Sequence, residues 1–142
     1  MRISVFALPV IILMVWLEGG KAVVILLASA LLHEIGHIAA LHLCGYRVRR
    51  IDVLPMGAVI VCPEGIPDAK ETVIALSGPL VSLVCAGLSF LWCVFEMTEI
   101  SVYALAINLV LGLFNLLPIK KLDGGKALYC FVSEKTKHKK ET

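Results

Sequence analysis

The chain has few charged and few aromatic residues for its length. Of its 142 residues, 17% are charged and 7% are aromatic, whereas 59% are hydrophobic. A soluble globular domain carries about 25% charged and about 45–50% apolar residues. The composition therefore disfavours a soluble core and predicts a membrane protein with several spans. Because the basic residues are not interleaved with aromatic side chains on which bases could stack, nucleic-acid binding is not expected.

The cysteines lack the pattern of a disulfide framework or of a thiolate metal site. Their number is odd, and no C-x-x-C occurs. We therefore expect free thiols that pack as small apolar side chains, at Cys44, Cys62, Cys85, Cys93 and Cys130.

Four apolar segments are present, at residues 3–17, 22–44, 73–95 and 100–117. A spanning helix needs about 20 apolar residues, so the first segment, which is short and contains Pro9, is the weakest of the four. A cleaved signal peptide is the alternative for the amino end, with Ala28-Ser29-Ala30 as the cleavage site. Against it, Glu18 and Lys21 interrupt the apolar run, and cleavage would remove most of the second segment.

The basic residues predict an orientation. With a cytoplasmic amino terminus and four spans, 12 of the 13 lysines and arginines fall on the cytoplasmic side, and Lys21 falls outside. The positive-inside rule selects this topology, with both termini cytoplasmic. Residues 1–142 are expected to form a single membrane-embedded domain that ends in a short basic, disordered cytoplasmic tail at about residues 133–142.

The connection between the second and third spans has a different pattern. Residues 46–54 and 58–62 are rich in branched side chains and flank Pro55-Met56-Gly57, which predicts a strand, a turn and a second strand. An ordinary cytoplasmic loop is the alternative. The predicted fold is an all-α polytopic membrane protein of about four transmembrane helices, with a small β-hairpin between helices 2 and 3.

Residues 33–37 have the sequence H-E-I-G-H and lie within the second apolar segment. On a helix, the imidazoles of His33 and His37 lie one turn apart on the same face, where they can share one metal ion. Glu34 lies beside them, where it can take a proton from the attacking water. Such groups are costly in hydrocarbon, so their presence in a span indicates a functional site. The motif predicts a membrane-embedded zinc peptidase.

Two histidines leave a catalytic zinc ion one protein ligand short. The extended soluble motif would place a third histidine at position 43, which is Leu43, and His42 is out of register. Asp123 follows the fourth span at the depth of the histidines, and Gly124 and Gly125 after it let backbone approach closely and can open a helix. A plain Asp-Gly-Gly turn is the alternative. The acidic candidates are Asp52, Glu64, Asp68, Glu71 and Asp123.

Three motifs together resemble the site-2 protease family of intramembrane zinc metalloproteases, most closely its bacterial sporulation-type branch. They are H-E-I-G-H at residues 33–37, S-G-P at 77–79, and N-L-L-P with L-D-G-G at 115–118 and 122–125. The resemblance covers residues 22–130. The sequence departs from the family pattern in two places. Lys120 and Lys121 stand where proline is common, and Ser82 stands where asparagine is common, which predicts a weaker polar role there.

The resemblance implies a function and a site. Zn²⁺ is the implied cofactor, with Asp123 as its third ligand beside His33 and His37, and with Glu34 as the catalytic base. The substrate would be a membrane-tethered protein, cleaved within or next to its membrane segment. The implied location is the lipid bilayer of the bacterial cell membrane, a setting that also allows regulatory membrane partners.

Two asparagines of the fourth span are further candidates. The amide of Asn115 could hold the substrate backbone or the developing oxyanion, with interhelical packing as an equal alternative. Packing is the better interpretation for Asn108. The predicted strands could take an unwound substrate segment as an added strand.

Two other functional classes compete with the peptidase. A membrane metal-ion transporter also uses intramembrane histidines and carboxylates, but it would need polar groups at several depths, whereas these cluster at one end. A non-catalytic binder of transmembrane helices would not need the intact Glu34.

Overall fold

The computed structural model describes residues 20–48, 50–54, 57–61 and 65–140. The predicted first span, residues 3–17, and Cys62 lie outside them. The helices and strands are α1 (Gly20–Leu43), β1 (Arg50–Leu54), β2 (Gly57–Val61), α2 (Asp68–Phe95), α3 (Glu99–Asn115) and α4 (Asp123–Lys140).

Two of these helices have the length and composition of membrane spans. α1 has 24 residues and α2 has 28, and both are apolar enough to cross a bilayer, while α3 is a shorter apolar helix. Large apolar side chains are exposed along their outer faces; Leu31, for example, is 62% exposed and Val84 is 55% exposed. Extended apolar surface of this kind suits contact with lipid. The described residues are therefore mostly helical, and two of their helices could cross a membrane by length and composition.

α2 is the central helix and contacts α1, α3 and α4. It begins at Asp68, and Asp68 and Glu71 in its first turn favour the positive end of the helix dipole. At Gly36 of α1, an added Cβ would lie 2.9 Å from the carbonyl oxygen of Ser77 and 3.2 Å from the Cα of Gly78. The backbones of α1 and α2 therefore meet closely at this level, as small residues permit between membrane helices.

The two strands follow α1. They pair antiparallel, with Arg50 opposite Val61 and Leu54 opposite Gly57. They lie in the connection for which two strands were predicted, between the helices predicted as the second and third, and β2 contacts α1. The pairing therefore places a short sheet next to the helix that carries the histidine motif.

α3 is fixed at its start and at its middle. Thr98 and Ser101 form a capping box, in which the Thr98 hydroxyl accepts from the Ser101 amide at 3.1 Å and the Ser101 hydroxyl accepts from the Thr98 amide at 3.0 Å. Near its middle, Nδ2 of Asn108 donates to Oγ of Ser29 on α1 at 2.9 Å. This bond supports the packing interpretation of Asn108.

α4 corrects the prediction of a disordered tail. The helix that begins at Asp123 continues to Lys140, so most of residues 133–142 belongs to it. The sequence after Gly125 contains neither proline nor glycine, and its lysines and glutamate are good helix formers. High charge was therefore a poor sign of disorder here.

Candidate metal centre

His33 and His37 lie one turn apart on the buried face of α1. Their side chains turn toward α2, and the residues are only 4% and 8% exposed. The two Nε2 atoms are 3.3 Å apart. A four-residue spacing on a helix of 3.6 residues per turn accounts for this approach.

Asp123, the first residue of α4, completes the cluster. Its Oδ2 lies 3.1 Å from Nε2 of His33 and 3.2 Å from Nε2 of His37. The two glycines after it allow α4 to begin here, because a Cβ at Gly124 would meet the backbone of Leu116 and a Cβ at Gly125 would lie 2.8 Å from the amide nitrogen of Lys120. The close backbone approach expected for these glycines is confirmed.

The carboxylate of Asp123 is held in its charged form. Burial alone would raise its pKa, but the contacts with the imidazoles of His33 and His37 outweigh burial and hold the pKa well below its ordinary value. Lys126, one turn later on α4, places Nζ 3.6 Å from Oδ1. One carboxylate oxygen therefore faces an ammonium group, while the other faces the two imidazoles.

α2 holds both imidazoles through their other ring nitrogen. Nδ1 of His37 lies 2.8 Å from the carbonyl oxygen of Ile74, and Nδ1 of His33 lies 2.9 Å from Oγ of Ser82. Because a carbonyl oxygen can only accept, the His37 bond places a proton on Nδ1. Its Nε2 is then the ring nitrogen that faces Asp123 and that a metal ion would use. Metal-binding histidines commonly have such a partner for their second nitrogen.

The donor set fits a tetrahedral zinc ion. Zinc binds histidine nitrogen at about 2.0–2.1 Å and carboxylate oxygen at about 2.0–2.2 Å, and tetrahedral angles then place donors about 3.3 Å apart or slightly more. The observed separations are 3.1, 3.2 and 3.3 Å. At Gly78 of α2, an added Cβ would contact the His37 ring and lie 2.8 Å from Nε2 of His33. The absence of a side chain there leaves room beside the donors, and the three residues form a group that can hold zinc.

Glu34 is half-buried next to the histidines. It lies within electrostatic range of both imidazoles, of Asp123 and of Lys126. A carboxylate in this place can exchange protons with a molecule held at the three donors.

The other acidic candidates are elsewhere or outside the described structure. Asp68 and Glu71 form a separate group with Cys130, whose possible ligand atoms lie within 4.8 Å of one another. Glu64 and the side chain of Asp52 are not described. Among the acidic residues whose side chains the structure describes, Asp123 is therefore the one that meets both histidines.

Asn115 and Ser82 have different hydrogen-bond partners: Asn115 bonds within its own helix, whereas Ser82 bonds to a histidine of the metal centre. Asn115 is half-buried, and its Nδ2 donates to the Leu111 carbonyl of its own helix at 2.9 Å. At Ser82, where a weaker polar role was predicted, the hydroxyl contacts His33 directly. The sequence signal for this contact was the spacing of Ser82 from Gly78 and Ile74, four and eight residues, which puts all three on one stripe of α2.

None of the four described cysteines forms a disulfide, as expected.

These features define a helical membrane protein with an H-E-x-x-H metal centre completed by an aspartate from a distant helix. The model of Peptidase family M50 matches residues 21–98 and 94–142. The chain belongs to Peptidase family M50.

Individual relatives confirm the resemblance to site-2 proteases. A zinc metalloprotease of Methanocaldococcus jannaschii is 34% identical over 124 residues, which cover 84% of this chain and 36% of that protein. Stage IV sporulation protein FB of Bacillus subtilis is 33% identical over 121 residues, covering 80% of this chain and 41% of that protein. The solved structure of a site-2 protease from Methanocaldococcus jannaschii matches with a TM-score of 0.77 and 31% identity, over 92% of this chain and 64% of that one. The chain thus spans about two fifths of the length of these curated relatives.

Proposed function

We propose that the chain is a single membrane-embedded domain that acts as an intramembrane zinc metalloendopeptidase. Its substrate is a membrane-tethered protein, cleaved within or next to the membrane segment. The observation that carries the proposal is the convergence of His33, His37 and Asp123, with donor atoms 3.1–3.3 Å apart, beside Glu34 on an apolar helix. Relatives named as a zinc metalloprotease and a site-2 protease support it.

Each site residue has a chemical role in this proposal. His33, His37 and Asp123 hold the zinc ion, which when bound acts as a Lewis acid on the scissile carbonyl and on the attacking water. Glu34 accepts a proton as the water oxygen bonds to the carbonyl carbon. It then passes that proton to the amine that leaves when the C–N bond breaks.

The substrate must present an extended segment to this site. A helical substrate keeps its carbonyl groups hydrogen-bonded, so it has to unwind locally before attack. An edge of the sheet formed by Arg50–Leu54 and Gly57–Val61 can take the unwound segment as an added strand. Asn115 is the proposed contact to the substrate backbone or the oxyanion, for which its Nδ2 would have to leave the Leu111 carbonyl.

We further propose four spans with both termini in the cytoplasm of a bacterial cell. The distribution of 12 of 13 basic residues supports this orientation. Lys21 at the start of α1 pairs with Glu99 at the start of α3 at 3.3 Å, so the one basic residue predicted to lie outside sits at the end of α1 away from the sheet. The metal centre would then lie toward the cytoplasmic side.

The test is Glu34→Gln, which preserves shape and hydrogen bonding but removes the base. We expect the purified variant to retain one zinc per chain and to capture a model tethered helix, while its cleavage rate falls by about 10²–10⁴-fold. Glu99→Gln is the matched control, because Glu99 is exposed and its ion pair is with Lys21, not with a residue of the metal centre. It should cleave at the wild-type rate.

Two results would contradict the proposal. Cleavage by Glu34→Gln at the wild-type rate would refute the role of the base. A wild-type chain that cleaves no tethered helix and is insensitive to chelators would favour the metal-ion transporter or the non-catalytic binder.

A further inference from the structure

One stripe of α2 faces the two imidazoles. Ile74, Gly78 and Ser82 are spaced four residues apart, so they lie on one face of the helix. The carbonyl of Ile74 contacts His37, the bare Gly78 faces both Nε2 atoms, and the hydroxyl of Ser82 contacts His33. α2 therefore supplies a separate partner to each histidine.

The two partners differ in their dependence on sequence. Ile74 acts through its backbone, which any residue would supply. Ser82 acts through its side chain, and among the described residues of α2 it is the one side chain that bonds to either imidazole. It is 1% exposed and His33 is 4% exposed, so both groups lie away from bulk solvent. Loss of this group would leave a buried imidazole nitrogen without a partner.

We propose that Ser82 is a positioning residue for the metal centre. Its hydroxyl oxygen accepts a hydrogen bond from Nδ1–H of His33, which fixes the ring orientation and keeps the Nε2 lone pair directed at the site shared with His37 and Asp123. This inference rests on the proposed zinc site and adds to it a group that does not touch the ion. It also gives Ser82 a role of its own at a position where it departs from the asparagine of the resembled family.

The same helix supplies a matched control. Ser89 lies two turns beyond Ser82 and is also buried, at 9% exposure. Its hydroxyl donates to the carbonyl of Cys85 on its own helix at 2.8 Å. A substitution of Ser89 therefore removes a buried hydroxyl from α2 without removing a partner of a histidine.

The experiment measures metal affinity and the visible spectrum of the cobalt-substituted full chain in detergent. Ser82→Ala is expected to weaken Zn²⁺ and Co²⁺ binding by about 10–100-fold, as for other groups that orient a ligating histidine. The cobalt absorption bands should also shift. Ser89→Ala should leave both readouts at wild-type values.

A second pair of variants tests the hydroxyl itself. Ser82→Thr and Ser82→Val have nearly the same shape, so packing and folding changes are common to both, and the threonine alone retains an acceptor. The threonine variant should bind metal more tightly than the valine variant by about 10–100-fold. Ser82→Asn also offers an acceptor, its amide oxygen, so it should bind metal more tightly than Ser82→Ala and Ser82→Val.

Three results would overturn the inference. They are wild-type affinity and spectrum in Ser82→Ala, equal affinity in the threonine and valine variants, or an equal loss in Ser89→Ala. If the wild-type chain binds metal, each of these leaves the zinc site intact and removes only the role of Ser82. A wild-type chain that binds neither Zn²⁺ nor Co²⁺ would refute the proposed site and the inference together.

Discussion

Gly78→Ala should abolish tight zinc binding without unfolding the chain. Gly78 lies on α2 directly against the two histidines of α1. The added methyl carbon would contact the His37 ring and lie 2.8 Å from Nε2 of His33. Ordinary van der Waals contacts of a Cβ are 3.4–4 Å, so both rings would have to move by at least several tenths of an ångström.

That displacement sets the expected magnitude. Metal–ligand distances tolerate changes of about 0.2 Å, and the methyl group forces a larger shift on two of three donors at once. Disturbing one group that merely orients a ligand already costs about 10–100-fold in affinity. We therefore expect a loss of at least about 100-fold, which corresponds to about 2.7 kcal/mol of binding free energy.

The assay is zinc competition with a chelator, paired with thermal unfolding in detergent without added metal. Gly87→Ala is the matched control, since Gly87 is on the same helix and nothing lies within 4 Å of an added Cβ there. The control should bind zinc normally and gain up to about 1 kcal/mol of stability from helix propensity. Wild-type affinity in Gly78→Ala would show that the histidines do not share an ion at this place.

The remaining predictions concern the third ligand and the orientation. Asp123→Ala should sharply reduce metal retention, measured by elemental analysis, because two imidazoles alone are a poor site for zinc. A full complement of zinc in that variant would indicate that Glu64 or Asp52 is the third zinc ligand. A cysteine placed at Lys21 should react with an impermeant thiol reagent from outside the cell, and one at Lys137 only after permeabilisation. Labelling at Lys137 in intact cells would reverse the orientation.

Much of the candidate site could be predicted because its elements are local. A single helical turn fixes the relative positions of His33, Glu34 and His37. The long apolar run around them is sufficient to predict α1. At Asp123 the sequence left a helix start and a plain turn as alternatives, and the structure has the helix. Local pattern was less reliable at the carboxyl end, where a charged segment predicted as disordered continues the helix to Lys140.

The choice of the third donor shows where local pattern ends. Sequence spacing left five acidic residues open, and resemblance to a family, rather than geometry, favoured Asp123. In the structure, the contact between His33 and Asp123 joins residues 90 positions apart. It depends on how α4 packs against α2 and on the absence of side chains at Gly124 and Gly125.

By itself, the sequence determined that long stretches of this chain are apolar enough to cross a membrane, that its histidines share one helix face, and that a carboxylate lies beside them. Composition and helical periodicity are sufficient for these properties, because they depend on residues within a few turns. Tertiary structure alone decided that Ser82, 49 positions from His33, is its hydrogen-bond partner, and that Gly78 leaves room beside both rings. Such contacts depend on the register of α1 against α2, whose backbones approach closely at Gly36, Ser77 and Gly78.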